Sequence, residues 1–412
     1  MKKYILALGL VSMLIGCNDD FMERYPLDNV TDENFWKTES DLKLYLNKLY
    51  PAYIKGHGDG WSQDKYITPL PVTGSPLAYG DFYSDNCVRT GSEPKELAGL
   101  NKIPTGAGSG GWSWTNLRTI NFFLQRYQRS ELPAYKLEQY AGEAYFFKAL
   151  DYYKKVLFFG DVPWLTRDLN VDSEELYAPR NSRAEVMDSL LMCINKSVAG
   201  LPQKGKEESG RLNKDMANFL KARICLFEGT YRKYHKVNPS TNQPWNNKYE
   251  SADDFLQEAV DAANTIMTEA GLKLHNDYHA LFTTSALGDI NEVIWYREYK
   301  TSDGLNVWND LTLNYNTSTA SQKVSPTKAL MNMYLTTDGT PIESDQVPMS
   351  KEFEGRDPRL SQTVHAPGHE WTYGGVTGPK PLNFTHVVTG YMFMKWSQEF
   401  ENNYTTGRGD NS

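Results

Sequence analysis

The chain alternates between runs of helical periodicity and stretches broken by glycine and proline. Apolar residues three and four apart mark one face of a helix. The first run is "SDLKLYLNKLYPAY", where Leu42, Tyr45, Leu46 and Leu49 align and Ser40 is placed to cap. Ahead of it, Thr31 or Asp32 is placed to cap a short turn over Asn34, Phe35 and Trp36. Residues 55–80 are punctuated by glycine and proline and read as loop, as does "TGAGSGG" ending at Gly111.

A helical half follows. "WTNLRTINFFLQRY" aligns Leu117, Ile120, Leu124 and Tyr127. "KLEQYAGEAYFFKALDYYKKVLFFGDVPW" has two apolar stripes, Ala141-Tyr145-Ala149-Tyr152-Val156-Phe159 and Phe146-Leu150-Tyr153-Leu157. Only a narrow polar stripe of Lys148, Asp151 and Lys155 remains, so this helix is expected to be sandwiched between neighbours. Gly160 ends it, and Pro163 prevents its resumption. Ser182 caps "RAEVMDSLLMCINKSVAGLP", with Met187, Leu191, Ile194 and Val198 aligned. "NKDMANFLKARICLFEGTYRKYH" and "DDFLQEAVDAANTIMTEAG" form a helix–loop–helix unit with small residues Ala222 and Ala259 at comparable positions. Their separation is near the tetratricopeptide period of roughly 34, stretched by an insertion around "VNPSTNQPW", although the full repeat signature is absent. After residue 275 the texture changes. "NEVIWYREY" reads as a short strand and "SPTKALMNMYL" as a helix, and the rest is rich in Gly, Pro, Tyr and Trp. The expectation is a mainly α protein: a helical frame mainly over 30–54 and 112–275, and a loop-rich lobe mainly over 55–111 and 276–412.

Composition narrows the function. With 412 residues the chain is long enough for a large core or two domains. A net charge of −8 argues against a nucleic-acid partner, because phosphate binding requires a basic face. Of four cysteines, Cys193 and Cys225 sit in apolar helical patterns and read as buried free thiols; no CxxC or zinc spacing occurs. His275 and His279 are four apart, but HExxH is missing, and His365 and His369 flank a helix-breaking "APG". "GAGSGG" lacks GK[ST], and no GxSxG occurs. Carboxylates are abundant, yet nothing selects one acid–base pair over another. No catalytic residue, metal site or cofactor is expected.

The opening "MKKYILALGLVSMLIGCNDD" has a basic start, a short apolar run and a small residue before Cys17. That is the form of a secretory signal, and the run is shorter than the roughly 20 residues a spanning helix needs. Leu14-Ile15-Gly16-Cys17 resembles a bacterial lipobox, which implies a signal over residues 1–17 and lipidation of Cys17. Asn18-Asp19-Asp20 resembles the acidic tag of surface-exposed Gram-negative lipoproteins.

Motifs along nearly the whole chain resemble the SusD-like (RagB/SusD) family of outer-membrane lipoproteins. They run in the family's order from "CNDDFMERYPLDNVTDENFWKTESDLKLYLNKLY" through "GEAYFFKALDYYKKVLFFGDVPW" and "GRLNKDMANFLKARICLFEGTYRKYH" to "SPTKALMNMYLTTDGTPI" and "EGRDPRL". The resemblance implies one domain over 18–412, with four tetratricopeptide-like units and a loop-rich lobe bearing short strands. It implies a non-enzymatic surface receptor that takes oligosaccharides and passes them to a SusC-like TonB-dependent transporter. Two alternatives stay open: peptide capture, as in RagB-type relatives, and a tetratricopeptide-like protein scaffold. Calcium also stays open, since receptors of this kind sometimes carry it. Family members usually continue past the strand resembled by "TGYMFMKW" into a helical segment, whereas this sequence ends in "SQEFENNYTTGRGDNS". The C-terminal part is therefore expected to be shorter than in the family, with apolar surface of the last repeat uncovered unless another element fills the gap.

A sugar presents apolar C–H faces and a ring of hydroxyls, so a receptor needs aromatic platforms edged by polar groups. The 10 Trp, 26 Tyr and 17 Phe supply candidates wherever they fall outside helical stripes. Trp61, Tyr79, Trp308, Trp371 and Tyr373 lie among Gly, Asp and Asn in expected loops, and Asp85 and Arg89 follow Tyr79 closely. These seven are the candidate glycan contacts. Trp36, Trp114, Trp164 and Trp295 sit inside the motifs and read as packing residues.

Overall fold

The structure is a computed structural model that describes residues 32–54, 84–89, 99, 105–106, 110–239, 241–245, 251–284, 286–298, 307–308, 324–342, 347–373, 376–379, 388–395 and 408–409. The frame is built from α1 (Asp32–Phe35), α2 (Glu39–Asn47), α3 (Leu49–Tyr53), α4 (Thr115–Leu124), α5 (Ala134–Phe159), α6 (Arg183–Gly200), α7 (Lys214–Tyr234) and α8 (Ala252–Glu269). The longer helices pack on their sequence neighbours, α4 on α5, α5 on α6, α6 on α7 and α7 on α8. This is the stacking expected of tetratricopeptide-like units, and the fold is mainly helical.

The helix starts follow from local chemistry. Thr38, in extended backbone, accepts from the Asp41 amide, and the Asp41 carboxylate accepts from the Thr38 amide at 2.7 Å. That reciprocal capping box places the start at Glu39, so Ser40 lies inside α2 and is not its cap. Ser182 caps α6, Asn213 caps α7, and Ser251 forms a second capping box with Asp254 at the start of α8. Gly160 ends α5 at φ +64°, a conformation that costs glycine little.

One apolar core runs through the frame, with Trp36, Leu42 and Leu46 meeting Ile120, Phe123, Phe147, Tyr152, Leu190, Ile194, Ile224 and Phe255. Trp36, Trp114 and Trp164 pack into or against it, as their place in the motifs suggested, and Trp112 joins them. Two close approaches need glycine. A Cβ on Gly200 would lie 2.4 Å from the Glu138 carbonyl oxygen, where α6 meets α5. A Cβ on Gly229 would lie 2.7 Å from Leu256, where α7 meets α8.

The polar stripe of α5 is itself buried. Glu143, Lys148, Asp151 and Lys155 all lie in the interior. Each has a partner: Arg211 for Glu143, Asn121 for Lys148, and the i,i+4 pair of Asp151 with Lys155 at 2.6 Å. The helix is enclosed on its polar side as well as on its two apolar ones.

The lobe contributes β1 (Cys87–Arg89), β4 (Val307–Trp308), β5 (Val324–Pro326), α9 (Lys328–Met333), α10 (Arg359–Thr363), β6 (Glu370–Tyr373), β7 (Val376–Pro379) and β8 (Arg408–Gly409). A small ladder, β2 (Val237–Asn238) with β3 (Gln243–Pro244), lies between α7 and α8. All ladders are two-stranded and antiparallel. Met331, Leu360, Val364 and Tyr391 form a second, smaller core. Arg356 anchors it, donating to the carbonyls of Met331 at 2.7 Å and Glu352 at 3.0 Å, and also to that of Tyr334. "NEVIWYREY" does not form the expected strand: among the described residues, 291–298 are turn and irregular backbone with no ladder partner. Lys204 of the frame holds this segment by donating to the Val293 carbonyl at 2.6 Å.

Candidate ligand-binding site

Five of the seven candidate glycan contacts lie among the described residues, on different parts of the lobe. Trp61 and Tyr79 lie outside the described residues, as does Cys17. Asp85 is exposed in the turn that leads into β1, and Arg89 is the last residue of that strand, opposite Val324. Trp308 lies on β4 opposite Arg408. Trp371 and Tyr373 lie on β6, opposite Gly378 and Val376 of β7.

The β1–β5 ladder brings distant parts of the chain together. Thr327 donates its backbone amide to the Asn86 carbonyl at 2.9 Å and its hydroxyl to the Asp85 carbonyl. On the far side of β5, the Ser325 hydroxyl accepts from the Val388 amide at 3.0 Å, and Thr389 donates to the Pro326 carbonyl at 2.6 Å. The segments 85–89, 324–327 and 388–389 therefore form one hydrogen-bonded patch. Beneath it, Glu352 is buried and accepts from Tyr391 at 2.6 Å and from Lys328. Burial raises the Tyr391 phenol above its ordinary range, so it stays a donor to that carboxylate. Trp308 and the Trp371–Tyr373 pair stand on separate ladders.

Among the described residues, clefts also line the frame where periodicity did not point. The smaller, of about 220 Å³, lies where the frame's chain leaves α3 and returns before α4. Tyr53 there donates to Asp151 at 2.8 Å, beside the Lys155 ion pair. The larger, of about 410 Å³, lies between the α2–α3 region, the turn 208–211 and the irregular segment 295–298. Its floor is a fixed polar network. Arg211 donates to both oxygens of Glu143 at 2.9 and 2.6 Å and to the Asn47 side-chain oxygen at 2.8 Å. Tyr50 donates to Glu143 at 2.8 Å and accepts from the Leu212 amide at 3.0 Å. Burial pushes the Glu143 carboxyl above its ordinary value, against the pull of Arg211, and pushes the Tyr50 phenol well above its own. Trp295 and Tyr296 supply the aromatic side. Arg211 and Asn47 are 164 residues apart, so no local pattern could have joined them.

The described histidines at 275, 365 and 369 make local contacts. His275 contacts the Asp277 carbonyl, the His365 and His369 rings lie edge to face, and no three metal-ligating side chains cluster among the described residues. Nor is any described helix long and apolar enough to cross a membrane.

Comparison with known proteins places this arrangement. The model of the SusD family matches residues 291–412, the stretch that carries Trp308, Trp371 and Tyr373. SusD-like protein P38 of Formosa agariphila is 28% identical over 210 residues, covering 49% of this chain and 39% of the relative. SusD-like protein P2 of the same organism is 25% identical over 305 residues, covering 73% of this chain and 53% of the relative. The chain thus spans about half the length, or less, of these curated relatives. Among solved structures, a SusD-like protein from Bacteroides fragilis superposes with a TM-score of 0.67 at 21% identity, covering 94% of this chain and 74% of the other. A SusD-like carbohydrate binding protein of the same species gives 0.66 at 20% identity, covering 89% and 69%. Likeness at that identity shows the fold, and the family-model match over residues 291–412 together with the curated SusD-like relatives supports a SusD-like family protein.

Proposed function

We propose that the protein is a non-enzymatic, cell-surface glycan-binding lipoprotein. It captures oligosaccharides on an aromatic platform and delivers them to a SusC-like TonB-dependent transporter in the outer membrane. The observation that carries this reading is the family match over residues 291–412, which spans three of the loop aromatics chosen on physical grounds, Trp308, Trp371 and Tyr373. A structural neighbour described as a carbohydrate binding protein supports the same ligand class. Trp61, Trp308 and Trp371 form the platform, with Tyr79 and Tyr373 beside it and Asp85 and Arg89 as its polar edge. Stacking on aromatic faces supplies affinity, and the few placed polar groups supply orientation. Lipid on Cys17 holds the chain at the membrane, each buried CH2 contributing about 0.8 kcal/mol.

The test is calorimetry of the chain from residue 18 onward against a panel of plant and host glycans. The expected result is saturable binding without product formation, lost when Trp61, Trp308 and Trp371 are all changed to alanine. Unchanged affinity in that variant would place the platform elsewhere. Binding of peptides in place of sugars would replace the ligand class. Labelled palmitate incorporation, lost in Cys17→Ser, tests the anchor.

A further inference from the structure

We infer that the 410 Å³ cleft between Asn47, Arg211 and Trp295 is a second carbohydrate subsite, selective for uncharged sugar units. The inference rests on the glycan-capture reading and adds a site between the frame and the segment 295–298, lined by none of the seven candidate glycan contacts. Four observations carry it.

The volume lies in the range of small-molecule pockets, about 300–1,000 Å³. The walls are of two kinds, the aromatic side chains of Trp295 and Tyr296 and a polar floor of Asn47, Tyr50 and Arg211. That floor is rigid before any ligand arrives. Glu143, fully buried, clamps the Arg211 guanidinium through two nitrogens, and Arg211 in turn takes the Asn47 side-chain oxygen. A polar group locked by its own neighbours recognises a hydroxyl without first having to be ordered.

Donors are left over. With its oxygen taken by Arg211, the Asn47 carboxamide keeps its NH2 for a ligand. Sugar hydroxyls and ring oxygens are acceptors for those N–H groups.

Charge is balanced. Arg211 pairs with Glu143, and Glu208 at the rim pairs with Lys43 at 2.6 Å. Arg297 and Glu298, also on the lining, bring one charge of each sign, so the cleft carries no net charge to hold a carboxylate, sulfate or phosphate. An extended peptide is disfavoured too, because capture by strand addition needs an open ladder edge, and the lining segments are helix ends, a turn and irregular backbone.

The test compares neutral hexasaccharides of several linkages with an acidic one, oligogalacturonate, by calorimetry. Ser209→Trp fills the mouth of the cleft from an exposed turn and touches no buried contact. Trp295→Ala removes the stacking wall, and a urea midpoint for each variant reports its folding. Both variants are expected to weaken the neutral ligand roughly tenfold, the equivalent of about 1.4 kcal/mol, with the lobe variant Trp61→Ala, Trp308→Ala, Trp371→Ala as the comparison. If the wild type binds and folded Ser209→Trp binds equally well, the second subsite is overturned while glycan capture stands. Tighter binding of the acidic ligand at the cleft overturns the selectivity. If the wild type binds no sugar, the capture reading itself fails, and this one with it. A peptide ligand displaced by Ser209→Trp alone overturns the sugar assignment.

Discussion

Glu228→Gln should be among the most damaging single-atom-scale changes in the frame. The Glu228 carboxylate is fully buried on α7 and accepts from Arg183 at 3.1 and 2.6 Å and from Arg232 at 2.8 Å. Both arginines are nearly enclosed, with Arg183 3.7 Å over the Tyr231 ring and Arg232 4.6 Å over that of Phe255. Replacing the carboxylate by an amide keeps the volume but removes the one charge shared by two guanidiniums. It also turns an NH2 toward N–H donors. Asp188 stays with Arg232 at 3.3 Å, but Arg183 loses its carboxylate. Removing one partner of such a buried pair costs about 3–5 kcal/mol. With a urea slope of about 3 kcal/mol per molar, the midpoint should fall by about 1–1.7 M. Far-UV circular dichroism of a urea titration reads this directly. The decisive comparison is the triple replacement Arg183→Met, Glu228→Leu, Arg232→Met. If the cost comes from stranding charge, the triple variant should be neutral or more stable than Glu228→Gln by several kcal/mol. A triple variant as unstable as the single one, or a Glu228→Gln midpoint equal to that of the wild type, would refute the reasoning.

Three further outcomes follow from the same interior. Lys148 is buried and donates to Asn121 at 2.9 Å, and burial lowers its pKa, so the folded state disfavours the charged amine. The unfolded chain then binds more protons between that lowered pKa and about 10.4, and stability rises with pH through this window. Urea midpoints of Lys148→Met should lack that rise and exceed the wild type near neutral pH. Gly200→Ala should cost about 1–3 kcal/mol, because the new methyl meets a backbone carbonyl oxygen at 2.4 Å; Gly229→Ala should cost less, since Leu256 is a side chain that gives way. Thermal melts of the two separate these. Burial pushes the thiols of Cys193 and Cys225 up to about 11 and about 12. Alkylation near pH 8 followed by mass spectrometry should leave both unmodified in the folded chain and modify both in urea.

The helices were legible because their information is local. A 3.6-residue period marks α5 to α8, with Gly160 ending α5 and Ser182, Asn213 and Ser251 starting α6, α7 and α8, all without reference to anything distant. Where two local signals competed, the residue with the reciprocal partner won. Thr38 caps α2 because Asp41 is three residues on, which Ser40 cannot match. The narrow polar stripe of α5 signalled an enclosed helix but not its partners. Lys148 and Asp151 are compensated from other elements, by Asn121 from α4 and Tyr53 from α3. Polarity in sequence reports what a side chain needs, not who supplies it.

The ligand-bearing parts were legible only as chemistry. Aromatics among glycines and aspartates mark where stacking surfaces could form, but the backbone that positions them is made by pairs of two to four residues with partners far along the chain. Cys87–Arg89 meets Val324–Pro326, and Val307–Trp308 meets Arg408–Gly409. Such short ladders carry too few residues for an alternation to be read. The same distance hides the frame cleft, whose Asn47, Arg211 and Trp295 come from three segments that share no period. "NEVIWYREY" shows what this costs. Its apolar run satisfies a strand pattern, but its half-buried side chains and its tie to Lys204 hold it in irregular backbone against the frame. Released from a ladder, Trp295 and Tyr296 are there to line a cleft, so the failed strand expectation and the proposed second subsite have one physical origin.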